Sequence, residues 1–116
     1  MDECLFCRIV AGEVPANIVF EDETVVAFSD IAPQAPLHVL VVPRRHIRNA
    51  AAVTPDDADV VAALVTSARA VADEAGLSGE DRGYRLVFNV GPDALNSVDH
   101  LHLHVLGGRT FDWPPG

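Results

Sequence analysis

The sequence predicts a single α+β domain, an antiparallel sheet with its helices on one face. Its 116 residues suffice for one core and leave little room for a second. The apolar residues fall into a short helical pattern, three strand-like runs, a long helical pattern and two further strand-like runs, and that order favours α+β.

Cys4 to Ala11 places Leu5, Phe6, Ile9 and Val10 at helical spacing, stopped by Gly12 and then Pro15. Asn17 to Phe20 and Thr24 to Ser29 are apolar and β-branched, with Glu21-Asp22-Glu23 between them as a hairpin turn. Leu37 to Val42, bracketed by Pro36 and Pro43, is an almost continuous apolar run and reads as a buried strand. The long helix starts at Thr54, whose hydroxyl can cap it, with Pro55 at the first helical position and Asp56 and Asp57 at the positive end of the dipole. Val60, Val61, Leu64, Val65, Ala68, Val71, Ala72 and Ala75 form its apolar stripe, and Gly76 ends it. Tyr84 to Val90 and Val98 to Leu106 supply the last two strands.

Charge narrows the function. A net charge of -9 argues against a binder of nucleic-acid polymers, which needs a basic stripe to displace counterions. One phosphate can still be held locally by backbone N–H groups and histidines. All eight basic residues are Arg, so Schiff-base and P-loop lysine chemistry is excluded. The N-terminus shows no secretory pattern, and no run approaches the roughly 18 apolar residues of a membrane span. A soluble, cytoplasmic protein with no membrane partner is expected.

Three of the five histidines stand in His100-Leu101-His102-Leu103-His104-Val105-Leu106. In a strand, His100, His102 and His104 share one face and Leu101, Leu103 and Val105 the other, with the imidazoles about 6.6 to 7 Å apart along the chain. Mutual repulsion then keeps at least one imidazole neutral and nucleophilic near neutral pH. A polar outer face explains this pattern poorly, since Thr, Lys or Glu would serve as well. A three-histidine metal site is a further reading, but residues in line on one strand do not converge on a tetrahedral ion.

Residues 100–106 match the motif of the histidine triad nucleotide-binding proteins, and the chain resembles that family over nearly its whole length. Residues 28–38 and Val41-Val42-Pro43-Arg44-Arg45-His46-Ile47 look like the family's nucleoside-pocket segments. Leu106-Gly107-Gly108-Arg109 and Trp113-Pro114-Pro115-Gly116 are similar to the C-terminus of its purine nucleoside phosphoramidase branch. The resemblance implies a five-stranded antiparallel sheet with one long and one short helix, pairing edge to edge into a ten-stranded homodimer. It makes His102 the nucleophile that attacks the α-phosphorus and forms a nucleotidyl-histidine intermediate. His104 and His38 are implied around the phosphate, Ser97 at the phosphate or leaving group, and Asp30 at the ribose hydroxyls. Phe6, Ile9, Phe28 and Ile31 are implied as the walls around the base, Asn89 and Asn96 as polar contacts, and Trp113 as an aromatic contact reaching toward the partner's site. Read from the residues alone, Asp30 is better explained as the cap of the turn before Pro33, and His38 as a hydrogen-bonded core histidine.

The loop before the triad departs from the family pattern. Leu95 stands where glycine is usual, Asn96 in place of glutamine, and Asp99 where an apolar or aromatic residue is usual. If the glycine position requires positive φ, leucine there reshapes the loop or weakens phosphate binding. Cys4 and Cys7 have the spacing of two zinc ligands, of two buried thiols or of a redox pair. The resemblance extends the zinc reading to Cys4, Cys7, His46 and His100, a closed and therefore structural site. Three functions follow: hydrolysis of purine nucleoside 5′-phosphoramidates or acyl-adenylates, hydrolysis of dinucleoside polyphosphates, or nucleotide or partner binding with little turnover.

Overall fold

A computed structural model describes residues 4–116. The elements run α1 (Leu5–Val10), β1 (Ile18–Glu21), β2 (Val25–Ser29), β3 (Leu37–Pro43), α2 (Ala58–Glu74), β4 (Tyr84–Val87) and β5 (Leu103–Gly107), with one-turn 3-10 segments at Ala50–Ala52, Pro55–Asp57 and Pro92–Ala94. The five strands form one antiparallel sheet in the order β1-β2-β3-β5-β4. β3 therefore lies at its centre, as its apolar run predicts.

Local chemistry sets these boundaries. Asp22 Oδ1 accepts the N–H groups of Thr24 at 2.8 Å and Val25 at 2.9 Å, closing the β1–β2 turn. Thr54 and Asp57 form a capping box, in which Thr54 Oγ1 accepts from the Asp56 N–H and Asp57 Oδ2 from the Thr54 N–H. Pro55–Asp57 is a 3-10 turn that leads into α2, and Gly76 at φ +77° ends the helix as expected.

The helices do not share a face, which corrects the expectation drawn from their order. Period-2 alternation sends Val25, Ala27, Val39, Val41, Leu103 and Val105 to one side, where Leu64, Ala68, Val71 and Ala72 of α2 cover them. Val26, Phe28, Leu40 and Val42 point to the other side and pack on Phe6 of α1. The stripe on α2 is also narrower than predicted, for Val65 is 42% exposed.

The last two strands are shorter than expected. β4 stops at Val87, which pairs with His104, and β5 begins at Leu103. Before Leu103 the chain leaves the ladder: the Leu101 N–H donates to the Ile47 carbonyl at 2.6 Å and the His100 ring turns toward α1. Phe88, Asn89 and Val90 thereby lose their strand partner.

Candidate active site

The alternation of the histidine run persists beyond the regular strand. Leu101, Leu103 and Val105 all enter the core beneath α2, while His102 and His104 stand half-buried on the opposite face. Their ring centroids are 5.1 Å apart, closer than backbone spacing alone sets, so the rings lean together. Phe6 fixes one side of the pair, with its ring edge-on to His102 at 5.1 Å and to Phe28 at 5.4 Å.

Hydrogen bonds to the backbone assign the protons. His102 Nδ1 lies 2.7 Å from the His100 carbonyl oxygen, which can only accept, so Nδ1 carries the hydrogen and Nε2 keeps its lone pair. His38 has the opposite pattern: its Nδ1 accepts the Gln34 N–H at 3.0 Å, leaving the proton on Nε2. That Nε2–H points to His104 Nδ1 at 2.9 Å and also lies 3.4 Å from Asp30 Oδ2. His104 therefore carries its own proton on Nε2. One ring offers a lone pair and its neighbour a donor.

Both donor-side histidines stay neutral near pH 7. Burial, reinforced by the charges of His102 and His38 and opposed by Asp30, pushes His104 down to about 4. Burial also lowers His38, again against the pull of Asp30. Asp30, His38 and His104 thus form one connected group, in which the 2.9 Å contact between the rings is an ordinary N–H···N hydrogen bond.

A pocket of ≈ 390 Å³ opens on this face. Phe6, Ile9, Phe28, Asp30, Ile31, Asn89, Asn96, Ser97, His102 and His104 line it, so ten of the residues singled out from the sequence converge there. Ile31 is 100% exposed and forms its outer lip. Asp30 Oδ1 accepts the Ala32 N–H at 2.8 Å, the turn-capping geometry, and still borders the pocket. His38 is buried behind His104 and off the wall, and Trp113 lies outside the pocket of its own chain, 82% exposed. Leu95 adopts φ +61°, the only described non-glycine residue with positive φ. Asn96 Oδ1 is buried and has no hydrogen-bond partner among the described residues. Asp99 faces Arg48 at 3.9 Å, both exposed.

On the far side of His100 lies a second cluster. Cys7 Sγ is 3.2 Å from His46 Nδ1 and 3.4 Å from His100 Nδ1, Cys4 Sγ is 3.3 Å from His100 Nδ1, and the two Nδ1 atoms are 3.2 Å apart. All four donor atoms fall within 4.8 Å of one another. A tetrahedron built on ordinary Zn–N and Zn–S bonds has edges of about 3.3 to 3.8 Å, so this arrangement fits one ion. Cys4 also caps α1, its Sγ accepting the Cys7 N–H at 3.3 Å. His100 Nε2 sits 2.9 Å from the Pro43 carbonyl, which fixes its proton there and frees Nδ1 for a metal.

The HIT domain model matches residues 11–111. The chain belongs to the HIT domain family. Within that family it is similar to a HIT family hydrolase from Legionella pneumophila of known structure, 49% identical, with a TM-score of 0.94 and coverage of 98% of this chain and 100% of the other. It is 40% identical over 114 residues to adenylylsulfatase HINT1 of Arabidopsis thaliana, covering 97% of this chain and 76% of the relative. It is 39% identical over 116 residues to a 14 kDa zinc-binding protein of Brassica juncea, covering 98% and 100%.

The backbone roles of Gln34, Pro43 and His100 escaped the sequence reading although they set the protonation pattern of this HIT domain. They act through backbone atoms, which every residue carries, so no side-chain signal could reveal them.

Proposed function

We propose that this HIT domain protein is a hydrolase acting at the α-phosphate of purine nucleoside 5′-phosphoramidates or acyl-adenylates, with His102 as nucleophile. The observation that carries the reading is the proton pattern of the adjacent rings: a lone pair on His102 Nε2 beside a neutral His104 with its proton on Nε2. Attack by His102 Nε2 forms a P–N bond and breaks the bond to the leaving group, an amine taking up a proton from solvent water as it departs. His104 Nε2–H donates to a phosphoryl oxygen and strengthens as negative charge develops there. Water then attacks phosphorus and gives up a proton to solvent, the P–Nε2 bond breaks, the nucleoside monophosphate is released and the neutral imidazole is restored.

Around that centre, the apolar surfaces of Phe6, Ile9, Phe28 and Ile31 are suited to a purine, and Asp30 to the ribose hydroxyls. Ser97 and Asn89 border the phosphate position, and the unpaired Asn96 Oδ1 suits an N–H of an amine leaving group. The name of the Legionella hydrolase supports hydrolysis, and that of the Arabidopsis adenylylsulfatase supports an adenylyl-type substrate. Cys4, Cys7, His46 and His100 would hold a structural zinc, a reading supported by their geometry and by the zinc-binding Brassica relative. Four protein ligands leave such an ion no open position, so its contribution is to fix α1 and His100. The open edges of the sheet at β1 and β4 support edge-to-edge homodimerisation, with Trp113 contacting the partner.

Leu95 supports a second reading, a nucleotide-binding module with little turnover, because its left-handed backbone holds a bulky residue at the phosphate-side loop. An adenosine 5′-phosphoramidate with a fluorescent amine decides between them. Release by the native protein and not by His102→Ala is expected. AMP binding without release by either protein would select the binding module.

A further inference from the structure

The loop before the histidine run turns its backbone donors inward. The Gly91 carbonyl accepts the N–H groups of Ala94 and Asn96, both at 3.2 Å, and the Pro92 carbonyl accepts that of Leu95 at 3.0 Å. Three successive N–H groups are thus engaged within the loop, and a ligand beside it meets side chains in their place. Leu95 and Asn96 both line the histidine pocket and lie next to Ser97 in the chain.

Those two side chains call for different partners. Leu95 is 86% exposed, and its left-handed backbone holds it away from other packing, so a ligand with an apolar surface gains by covering it. Asn96 Oδ1 is the one buried side-chain N or O atom without a hydrogen-bond partner among the described residues, and a donor relieves the cost of leaving it so. Ionised phosphoryl oxygens only accept and cannot satisfy it, whereas an N–H can. Asp30 is the one carboxylate on the pocket wall, and it already accepts the Ala32 N–H and faces His38, which leaves no spare anion for a cationic group.

We propose that Leu95 and Asn96 make the pocket selective for phosphoramidates of primary amines with an apolar body, the P–N–H group donating to Asn96 Oδ1 and the body covering Leu95. This rests on the reading of the pocket as a site of α-phosphate chemistry and narrows it. Acyl-adenylates and dinucleoside polyphosphates carry a bridging oxygen where the amidate carries its N–H, and so leave Asn96 Oδ1 unpaired.

The test measures dissociation constants by calorimetry on full-length His102→Ala, which keeps the ligands intact. Adenosine 5′-phosphoramidates of phenethylamine, ethanolamine and cadaverine are compared with the phenethyl ester of AMP, which has oxygen in place of the N–H of the phenethyl amidate at the same charge. Dividing each constant by that for AMP in the same variant removes changes in nucleotide fit, and AMP binding shows each variant folded. The phenethyl amidate should bind about tenfold tighter than the ethanolamine amidate and about fivefold tighter than its own ester. Adding Leu95→Gly should reduce the first preference to about twofold or less and leave the second, Leu95→Met should keep both, and Asn96→Ala should remove the second alone. Absence of saturable binding of the phenethyl amidate, absence of either preference, a preference unmoved by its own variant, or tightest binding of the cadaverine amidate would each overturn the proposal. Release of phenethylamine by the native protein is read separately: its absence would overturn hydrolysis, while the ratios still decide the amine preference.

Discussion

The carbonyl oxygen of His100 lies 2.7 Å from Nδ1 of His102, while the ring of His100 turns the other way into the Cys4, Cys7 and His46 cluster. One residue thus closes the metal-type cluster with its side chain and sets the tautomer of the neighbouring histidine with its backbone. The two centres are mechanically joined across two residues of chain.

That junction makes the cysteines matter to His102. In Cys4→Ser/Cys7→Ser, bound zinc should fall from about one per chain to none, and the His100 ring loses its anchor at Nδ1 while Nε2 stays on the Pro43 carbonyl. The imidazole ¹⁵N signals of His102 should then move from a single Nδ1–H tautomer toward a mixture, with turnover lower by about 10- to 100-fold. Stoichiometric zinc in the double variant would exclude this ligand set. An unaltered tautomer after zinc loss would show that the His100 carbonyl is held by the β5 approach alone.

The Leu95 backbone carries a separable cost. At φ +61° a residue with a Cβ is disfavoured by about 1–2 kcal/mol, and the side chain, 86% exposed, has little packing to offset it. Leu95→Gly removes that strain but gives the unfolded chain about 0.5–1 kcal/mol more entropy. The net expectation is a gain of up to about 1.5 kcal/mol in urea unfolding. A loss of 1 kcal/mol or more would mean that Leu95 makes an interaction in solution that stabilises the loop.

Much of this architecture was legible from residues 98–106, because period-2 alternation and the core demand of Leu101, Leu103 and Val105 coincide. The strand start was not legible, since Leu101 and the His100 ring answer to Ile47 and α1, distant in sequence. Nor was the face chosen by α1. Phe6 could have packed on either side of the sheet, and only the shared parity of Val26, Phe28, Leu40 and His104 settles it. The positive φ of Leu95, by contrast, was anticipated as a condition from its place in a glycine position, and the structure meets that condition.

Phe6 links packing to the pocket. It is buried against Phe28 and stands edge-on to both His102 and His100, so truncation opens a void between α1, the sheet and the histidines. Phe6→Ala should cost about 3 kcal/mol in denaturant unfolding and weaken AMP binding through the lost wall. Phe6→Leu should recover most of the stability and less of the binding. Equal recovery of both would assign Phe6 to the core alone.

The neutral state of His104 predicts a direction for pH. Its folded pKa of about 4 lies below the unfolded value near 6.5, so the unfolded chain binds the proton first. Stability is therefore complete above pH 6.5 and declines as pH falls toward 4, at up to about 1.4 kcal/mol per pH unit for one such group. His38, also lowered, adds to the same slope. Substituting His104→Asn removes its part, so the melting temperature of the variant should fall less steeply between pH 6.5 and 4 than that of the native protein. Parallel curves would place the acid sensitivity elsewhere and remove the case for a buried, uncharged donor at this position.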